Sequence, residues 1–525
     1  MVPRAYLSSL RQLFFTMLVV PAISQAGIAQ IVWTTVVNNG TLMPESGKTF
    51  NSYNQPAVNS SGLLVLRARS KGGASGEPMH GIYIRDMAVA NSPTARIFDR
   101  TSLVPAPNRT GATFIEFPSF PRIGISGSTV VTRGRSQPVW SYLLPDGTEA
   151  RAGTSGAYVQ RSGSPLTGAS QLGIVPDYSY YEVPGASPGT RFDEFPGAPS
   201  VSDPYVVFKG NYMEGTSGKT GVYYRDLRLR ASEPAAVRLI ADGNTRIPNQ
   251  APQESITFGS TAPPSAALDY AVFVGWDNEE NPTIGGIYRT KLQPNPVLQT
   301  LVALKSQVPG EPEGSQFNRL GEGLSFDGRY VGFWGAWGTE TFPVTLYCPT
   351  EGNRDRIDFC NTQYPNGHVV QIPVHQGMFV YDTLLNKAYA VAKTGSQFDN
   401  FLYWNYSGMV EGGMETDGEP AKWRSSAFVA LSGNKFSFRI AFKGEKGGID
   451  GLYFGSGPGL AATVKLLDTT TPGQSIDPAA PAGCTITSVG IERDGFRKSW
   501  LAITASMANA TTGENWGGIY VTRIP

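Results

Sequence analysis

The chain closes on GGIYVTRIP, residues 517–525, and three earlier stretches repeat its opening: GIYIRD (81–86), GVYYRD (221–226) and GGIYRTKL (285–292). A glycine, an apolar residue and a ring recur at Gly81, Gly156, Gly221, Gly286, Gly377, Gly451 and Gly518, which makes seven copies. The spacing is regular apart from one expansion between Gly286 and Gly377. Self-similarity at a fixed period marks a repeat architecture, and it takes precedence over residue-level readings.

Four beats make up each unit. The first is an apolar stretch around Phe and Pro, as in FNSYNQPAV (50–58), FIEFPSFPRI (114–123) and RFDEFPGAPSV (191–201). The second follows a turn, as in LLVLRARS (63–70), STVVTRGRS (128–136) and AVFVGWD (271–277). The third is the glycine-ring phrase. The fourth is ARIFDRTSLVP (95–105), VRLIADGNTRIP (237–248) or LQTLVALKSQVP (298–309). Alternating apolar residues, aromatics and β-branched side chains mark all four beats as strands, with Gly and Asn turns between them. Four short antiparallel strands repeated radially form the blade of a β-propeller. The expected fold is therefore all-β: a single seven-bladed propeller over residues 30–525, with an insert at about 338–376 in blade 5.

No fourth beat follows the last copy. IVWTTVVNNGTLMP (31–44) matches VRLIADGNTRIP in its apolar run and closing Pro. The N-terminal strand is thus expected to complete blade 7 and to cover a sheet edge that would otherwise invite aggregation.

These beats resemble the TolB-type propeller repeat, in which a short inner strand, a turn and a strand ending in Phe precede an "IY" strand. They are more similar to bacterial secreted repeat proteins of unknown function, whose units read F–P–(turn)–VAF–GIY–VADTxTPVPG. The resemblance spans nearly all of residues 30–525 and implies the architecture. It carries no chemistry, and that family offers no site to transfer.

Composition narrows the functional classes. Hydrophobic residues make up 40% of the chain, with 26 Phe, 23 Tyr and 9 Trp, too many for a disordered chain. Lys and Arg number 43 against 42 Asp and Glu, so no global field draws nucleic acid or an anionic membrane. Arg4, Arg11 and the apolar LFFTMLVV (13–20), followed by small residues at Ser24, Ala26, Gly27 and Ala29, read as an export signal over residues 1–29. That apolar run is too short for a membrane span. The expected product is a secreted or periplasmic monomer. Cys348 and Cys360 lie close together in one polar insert and are expected to form a staple in an oxidising compartment, and Cys484 reads as a buried thiol. No metal pattern, P-loop, GxSxG, HExxH or CxxC is present, so no cofactor is implied.

Candidate site residues lie where copies depart from the repeat. His80, His368 and His375 are the only histidines, and all are expected in the loops between second and third beats, on one face. The ends of the second beats align Arg67, Arg133, Lys209, Trp334 and Lys443. Two positions on come Arg69, Arg135 and Trp276, with Trp337 beside the blade 5 copy. Guanidinium forks hold carboxylates or sulfates, and indole faces stack on sugars. Such a rim suits an extracellular, anionic glycan or another surface partner, bound without catalysis. The alternative is a polysaccharide lyase or glycoside hydrolase acting on a uronate-containing polymer. Propeller lyases of the ulvan and rhamnogalacturonan type are similar in architecture; by that analogy Arg133 or Arg135 would neutralise the uronate and His80 would be the base. Glu116 and Glu194 occupy equivalent positions in blades 2 and 3 and form the hydrolase pair, if there is one.

Overall fold

The computed structural model describes residues 31–524 apart from 73–77, 107–110, 137–139, 144–145, 153–154, 172–177, 252, 351–353, 396, 409, 411–419, 434–437 and 458–462. The export-signal segment, residues 1–29, lies outside the described residues.

Each glycine-ring phrase forms the third strand of a sheet: His80–Asp86, Ser155–Arg161, Ser217–Asp226, Gly285–Lys291, His368–Asp382, Ile449–Ser456 and Asn515–Arg523. Each pairs antiparallel with the second-beat strand of its blade, and in the first six copies with the strand after it; in blade 2 a hairpin, Trp140–Leu143 with Glu149–Ala152, intervenes in the chain. The result is seven blades, and the chain is a seven-bladed β-propeller. In blade 7 the outer partner is Thr34–Asn38, which pairs along Asn515–Arg523 from Thr34 opposite Val521 to Asn38 opposite Gly518. The N-terminal strand therefore completes the last blade, as its sequence implies.

The first beat is not one strand. In blade 1, Phe50–Tyr53 and Ala57–Val58 pair separately with Leu63–Ser70. In blade 4, Ser260–Thr261 and Ser265–Ala267 pair separately with Tyr270–Trp276. The breaks hold Pro56, and Pro263 with Pro264. Proline lacks the N–H that a continuous ladder needs. The inner pieces are Ala57–Val58, Arg122–Ile123, Ser200–Ser202, Ser265–Ala267, Ser325–Phe326, Val429–Gly433 and Phe496–Arg497. Each contacts the next, and the last returns to the first, so the ring is closed around its axis.

The repeat serves packing. A first-beat Phe stands edge-on to the third-strand ring in Phe50–Tyr83 at 5.1 Å, Phe114–Tyr158 at 4.9 Å, Phe192–Tyr223 at 4.9 Å, Phe258–Tyr288 at 5.3 Å, Phe317–Phe379 at 5.0 Å and Phe398–Tyr453 at 4.7 Å. Edge-to-face pairing matches the ring quadrupoles. The Phe lies over a second-strand glycine: a Cβ on Gly210 would sit 2.6 Å from the Phe192 ring. The glycine of the third-strand phrase answers a different crowding. A Cβ on Gly81 would lie 2.7 Å from the Phe98 carbonyl oxygen of the outer strand. Next to it the ladder shifts register, between Ile82 and Tyr83, and the same shift recurs at Val222/Tyr223 and Leu452/Tyr453.

The blade 5 insert is not an irregular loop. The second and third strands simply run on, as Tyr330–Leu346 and His368–Asp382, and pair out to Leu346 opposite His368. The helix Arg354–Gln363 caps this arm, and the disulfide Cys348–Cys360 ties its tip. Cys484 is free and buried. A two-stranded ribbon, Tyr403–Ser407 with Lys422–Ser426, stands beside the arm. Tyr406 donates a hydrogen bond to Gln363 at 2.8 Å. No helix among the described residues is long and apolar enough to cross a membrane.

Candidate functional site

The axis of the ring is filled. Arg122, on the inner strand of blade 2, is 1% exposed. Its Nε donates to Asp494 of blade 7 at 2.5 Å, its Nη1 to the Pro264 carbonyl at 3.1 Å and its Nη2 to Ser265 of blade 4 at 3.0 Å. Arg497 also bonds Asp494, and Arg493 pairs with the fully buried Glu492 at 3.1 Å. Burial alone would raise the Asp494 pKa, but Arg122 and Arg497 outweigh it and hold the carboxyl below its ordinary range. These groups stitch blades 2, 4 and 7 together through the channel. Sequence reading passed over IERDGFR (491–497) because it tracked the apolar beats, and a buried ion network interrupts no beat.

Above this plug lies the face on which second strands turn into third strands. The basic residues expected from the sequence lie on the halves of the second strands nearer that face, whereas Trp334 and Trp337 lie within the long strand Tyr330–Leu346. Blade 1 presents Arg67 and Arg69, with Arg69 directly opposite His80 in the ladder. Arg67 is 8% exposed and donates to Asn54 Oδ1. Burial first, then Arg69 and the Arg356 of the blade 5 helix, lower the Arg67 guanidinium to about 10, against the opposing pull of Glu116.

His80 is not a loop residue. It opens the strand His80–Asp86 and is only 4% exposed, with its ring edge-on to Phe117 at 5.6 Å. Burial, followed by Arg67, Arg69 and Arg100, pushes its pKa well below the usual imidazole value, so the ring is neutral at pH 7. His375 and His368 lie on the blade 5 arm instead. His375 faces Glu340 at 3.5 Å and stacks at 6.0 Å on Trp337, and His368 meets Tyr364 at 4.4 Å.

In blade 2, Arg135 pairs with Glu116 at 3.6 Å. Glu194 of blade 3 accepts from Asn211 at 3.0 Å. Arg133 and Lys209, equivalent positions in neighbouring blades, converge on one shallow cleft with Phe195, Pro196, Gly197 and Pro199. Lys443 of blade 6 pairs with Asp450 at 2.7 Å and sits 4.6 Å over the Tyr403 ring.

The tryptophans are spent inside the blades. Trp276, Trp334 and Trp337 are 5%, 5% and 6% exposed. Trp276 and Trp337 belong to the core between blades 4 and 5, and Trp334 to the next one, where its Nε1 donates to Gln376 at 3.0 Å. Half-exposed rings occur elsewhere on this face, at Phe120, Phe428 and Tyr403. Phe120 and Phe428 meet edge-to-face at 6.2 Å, and Tyr403 lies 6.4 Å from Phe428. Phe120 and Phe428 come together from blades that are not neighbours, so no single repeat reveals their meeting.

No protein-family model matches the chain, and no curated protein does. Several solved structures resemble it. The β-propeller domain of the Trilobed protease from Pyrococcus furiosus, which has an open velcro topology, is 10% identical, with 90% of this chain and 94% of that one covered and a TM-score of 0.39. The uncomplexed acylaminoacyl peptidase of Pyrococcus horikoshii is 10% identical, with a TM-score of 0.38; 90% of this chain is covered but only 51% of that one, so the chain spans about half its length. The periplasmic gluconolactonase PpgL of Pseudomonas aeruginosa is 11% identical, covering 77% and 82%, with a TM-score of 0.29. At such identities the likeness concerns the fold alone.

Proposed function

We propose that this propeller is an exported, non-catalytic module that binds an anionic extracellular glycan with the mouth of its second-to-third-strand face. One observation carries the reading. Arg67, Arg69, Arg100, Arg133, Arg135 and Lys209 gather on blades 1 to 3 with Glu116 and Glu194 as the facing carboxylates of the aligned inner positions. The aligned position is basic in all three blades, as Arg67, Arg133 and Lys209, in a protein whose overall charge is only +1. A guanidinium-rich patch recognises carboxylates and sulfates through paired hydrogen bonds.

Binding is favoured over cleavage by the state of His80. A lyase base must reach the proton it removes. His80 lies beneath Phe117 and is ringed by arginines, so it neither meets a polymer nor holds a proton strongly. Glu116 and Glu194 are engaged by Arg135 and Asn211, which leaves neither set up as an acid. The disulfide Cys348–Cys360 suits an oxidising compartment outside the cytoplasm.

The test uses protein from Gln30 onward against a panel of acidic and neutral polysaccharides. Affinity is read by calorimetry, and absorbance of unsaturated uronate and reducing ends are followed in parallel. Salt-sensitive binding to an acidic polymer is expected, weakened tenfold or more by Arg69→Ala, with no new ends. New unsaturated ends, or no binding to any polymer, overturns the proposal.

A further inference from the structure

We infer that Phe120, Tyr403 and Phe428 form a sugar-stacking subsite at the centre of the mouth, built for one acidic pyranose of that glycan; the inference rests on the glycan reading above. The first argument is placement. Phe120 precedes the inner strand Arg122–Ile123 of blade 2, and Phe428 precedes Val429–Gly433 of blade 6. Both inner strands run down from this face, since Arg122 and Val429 pair with Val131 and Phe442 of the second strands. Two blades separate 2 from 6 around the ring, so the contact of Phe120 with Phe428 at 6.2 Å spans the axis. Beneath them Arg122 and Asp494 occupy the channel. The rings are therefore the floor of a closed bowl rather than the wall of a tunnel.

The second argument is that folding does not call for these rings to be where they are. The blade cores already hold their own phenylalanines, Phe114 and Phe117 in one and Phe398 and Phe401 in another, all nearly fully buried. Phe120 and Phe428 remain half-buried and Tyr403 is 38% exposed. Apolar rings clustered in water at a concave centre are the usual mark of a ligand contact.

The third argument is charge. The segment that carries Phe120 also carries Glu116, which faces Arg135, and Phe117, which touches His80. It thus leads straight from the axial rings to the blade 1 and blade 2 cations. Among the described residues, two buried nitrogens on that side, Arg67 Nε and His80 Nε2, have no hydrogen-bond partner. Buried polar atoms are almost always satisfied, and water reaching in from the mouth supplies the partner. On the opposite side Lys443 lies over Tyr403 at 4.6 Å. A ring floor with the blade 1 cations at its edge fits a sugar whose apolar face lies on Phe428, with Tyr403 beside it, and whose acidic group turns to Arg67 and Arg69. That acidic group is either a uronate carboxylate or a sulfate ester.

The experiment measures binding of wild type, Phe428→Ala, Phe428→Leu and Phe428→Trp to polygalacturonate, to a sulfated galactan and to polyvinyl sulfonate, a polyanion without sugars. Thermal melts confirm that each variant is folded, and Phe428→Leu keeps apolar volume without a ring face. Expected are a tenfold or greater loss with Ala and Leu on the glycan that wild type binds, retention with Trp, and less than twofold change on polyvinyl sulfonate. The two glycan arms separate carboxylate from sulfate recognition. If wild type binds a glycan and Phe428→Leu binds it equally well, or loses the sugar-free polyanion to the same extent, the subsite is refuted and the glycan reading stands. If wild type binds neither glycan, the glycan reading falls and takes the subsite with it.

Discussion

Asn38 donates a hydrogen bond from Nδ2 to Asp477 Oδ2 at 2.9 Å, joining the N-terminal strand to the loop before blade 7. Asp477 is 1% exposed and also accepts from Trp516 Nε1 at 2.8 Å and the Tyr520 hydroxyl at 3.0 Å, both on the last strand. One carboxylate thus clasps both strands that close the ring. Asp477→Ala leaves three donors unpaired, two of them buried, and is expected to cost about 3 kcal/mol, read as a fall in the denaturation midpoint. Deleting residues 31–42 removes the whole outer strand and is expected to give aggregation or oligomers by light scattering. A clean monomer with an unchanged melt would refute the closure role.

The same carboxylate sets an acid limit. Burial alone would raise the Asp477 pKa, but bonds from Trp516, Asn38, the Ala479 amide and Tyr520 outweigh it and hold it below the ordinary value. Asp468 follows the same logic: burial opposes ionisation, the Lys465 and Thr470 contacts win, and its pKa falls to about 2. A folded pKa below the unfolded one means that stability is fully present above about pH 4 and is lost as pH falls through the folded value. Urea midpoints should hold down to about pH 4 and fall between there and about pH 2. Asp477→Asn should show a shallower fall over that window.

His80 works in the same protonation sense, at higher pH. Burial, Arg67, Arg69 and Arg100 keep it neutral in the fold, while the unfolded chain takes up a proton near pH 6.5. Stability therefore drops as pH falls below about 6.5, by up to about 2 kcal/mol at pH 5. His80→Gln should lack this loss when its denaturation curves at pH 7.5 and pH 5 are compared with wild type. An anionic ligand held by Arg67 and Arg69 should reduce the wild-type loss, because it favours the imidazolium.

Arg122 and Asp494 test whether the axial network registers the blades. Breaking a buried pair leaves an uncompensated charge and costs about 3–5 kcal/mol, whereas replacing both partners with apolar groups costs far less. Arg122→Met should destabilise strongly, and Arg122→Met with Asp494→Leu should recover a large part of the loss. A double variant no better than the single one would show that Arg122 acts through Pro264 and Ser265 instead.

Architecture was legible in the sequence because it is local and repeated. Phe192, Gly210 and Tyr223 answer one another within a single blade, so the same three residue types recur at the same places. Closure was legible for the same reason, since Thr34–Asn38 copies the outer strands. The site was legible only in part. Aligned positions brought Arg67, Arg133, Lys209 and Lys443 to one face, because register fixes which end of a strand they occupy. Alignment does not give depth, however. Trp276, Trp334 and Trp337 are taken up by the cores between blades, and His80 is sealed by Phe117. Contacts across the axis, such as Arg122 to Asp494 and Phe120 to Phe428, depend on ring closure and leave no trace in any single repeat.

The blade 5 arm should be separable from the ring in stability. Its strands pair only with each other beyond Trp337, and its tip is held by Cys348–Cys360, by Tyr406 on Gln363 and by the Tyr364–Tyr406 ring contact at 6.3 Å. The disulfide closes a short loop, with a sequence separation of 12. A cross-link of that size stabilises by roughly 2–3 kcal/mol, chiefly through the unfolded state of the segment it closes. That segment is the helix and its flanks, not the propeller. Replacing both cysteines with serine should therefore leave the global melt nearly unchanged, while cleavage within 347–363 by a dilute protease accelerates by about 30- to 100-fold, as local opening becomes easier. Arg356 rides on that helix and acts on Arg67. Loosening the tip should consequently raise the Arg67 pKa and weaken acidic-glycan binding without touching a rim residue. A fall of many degrees in the global melt would mean that the arm and the ring unfold as one unit.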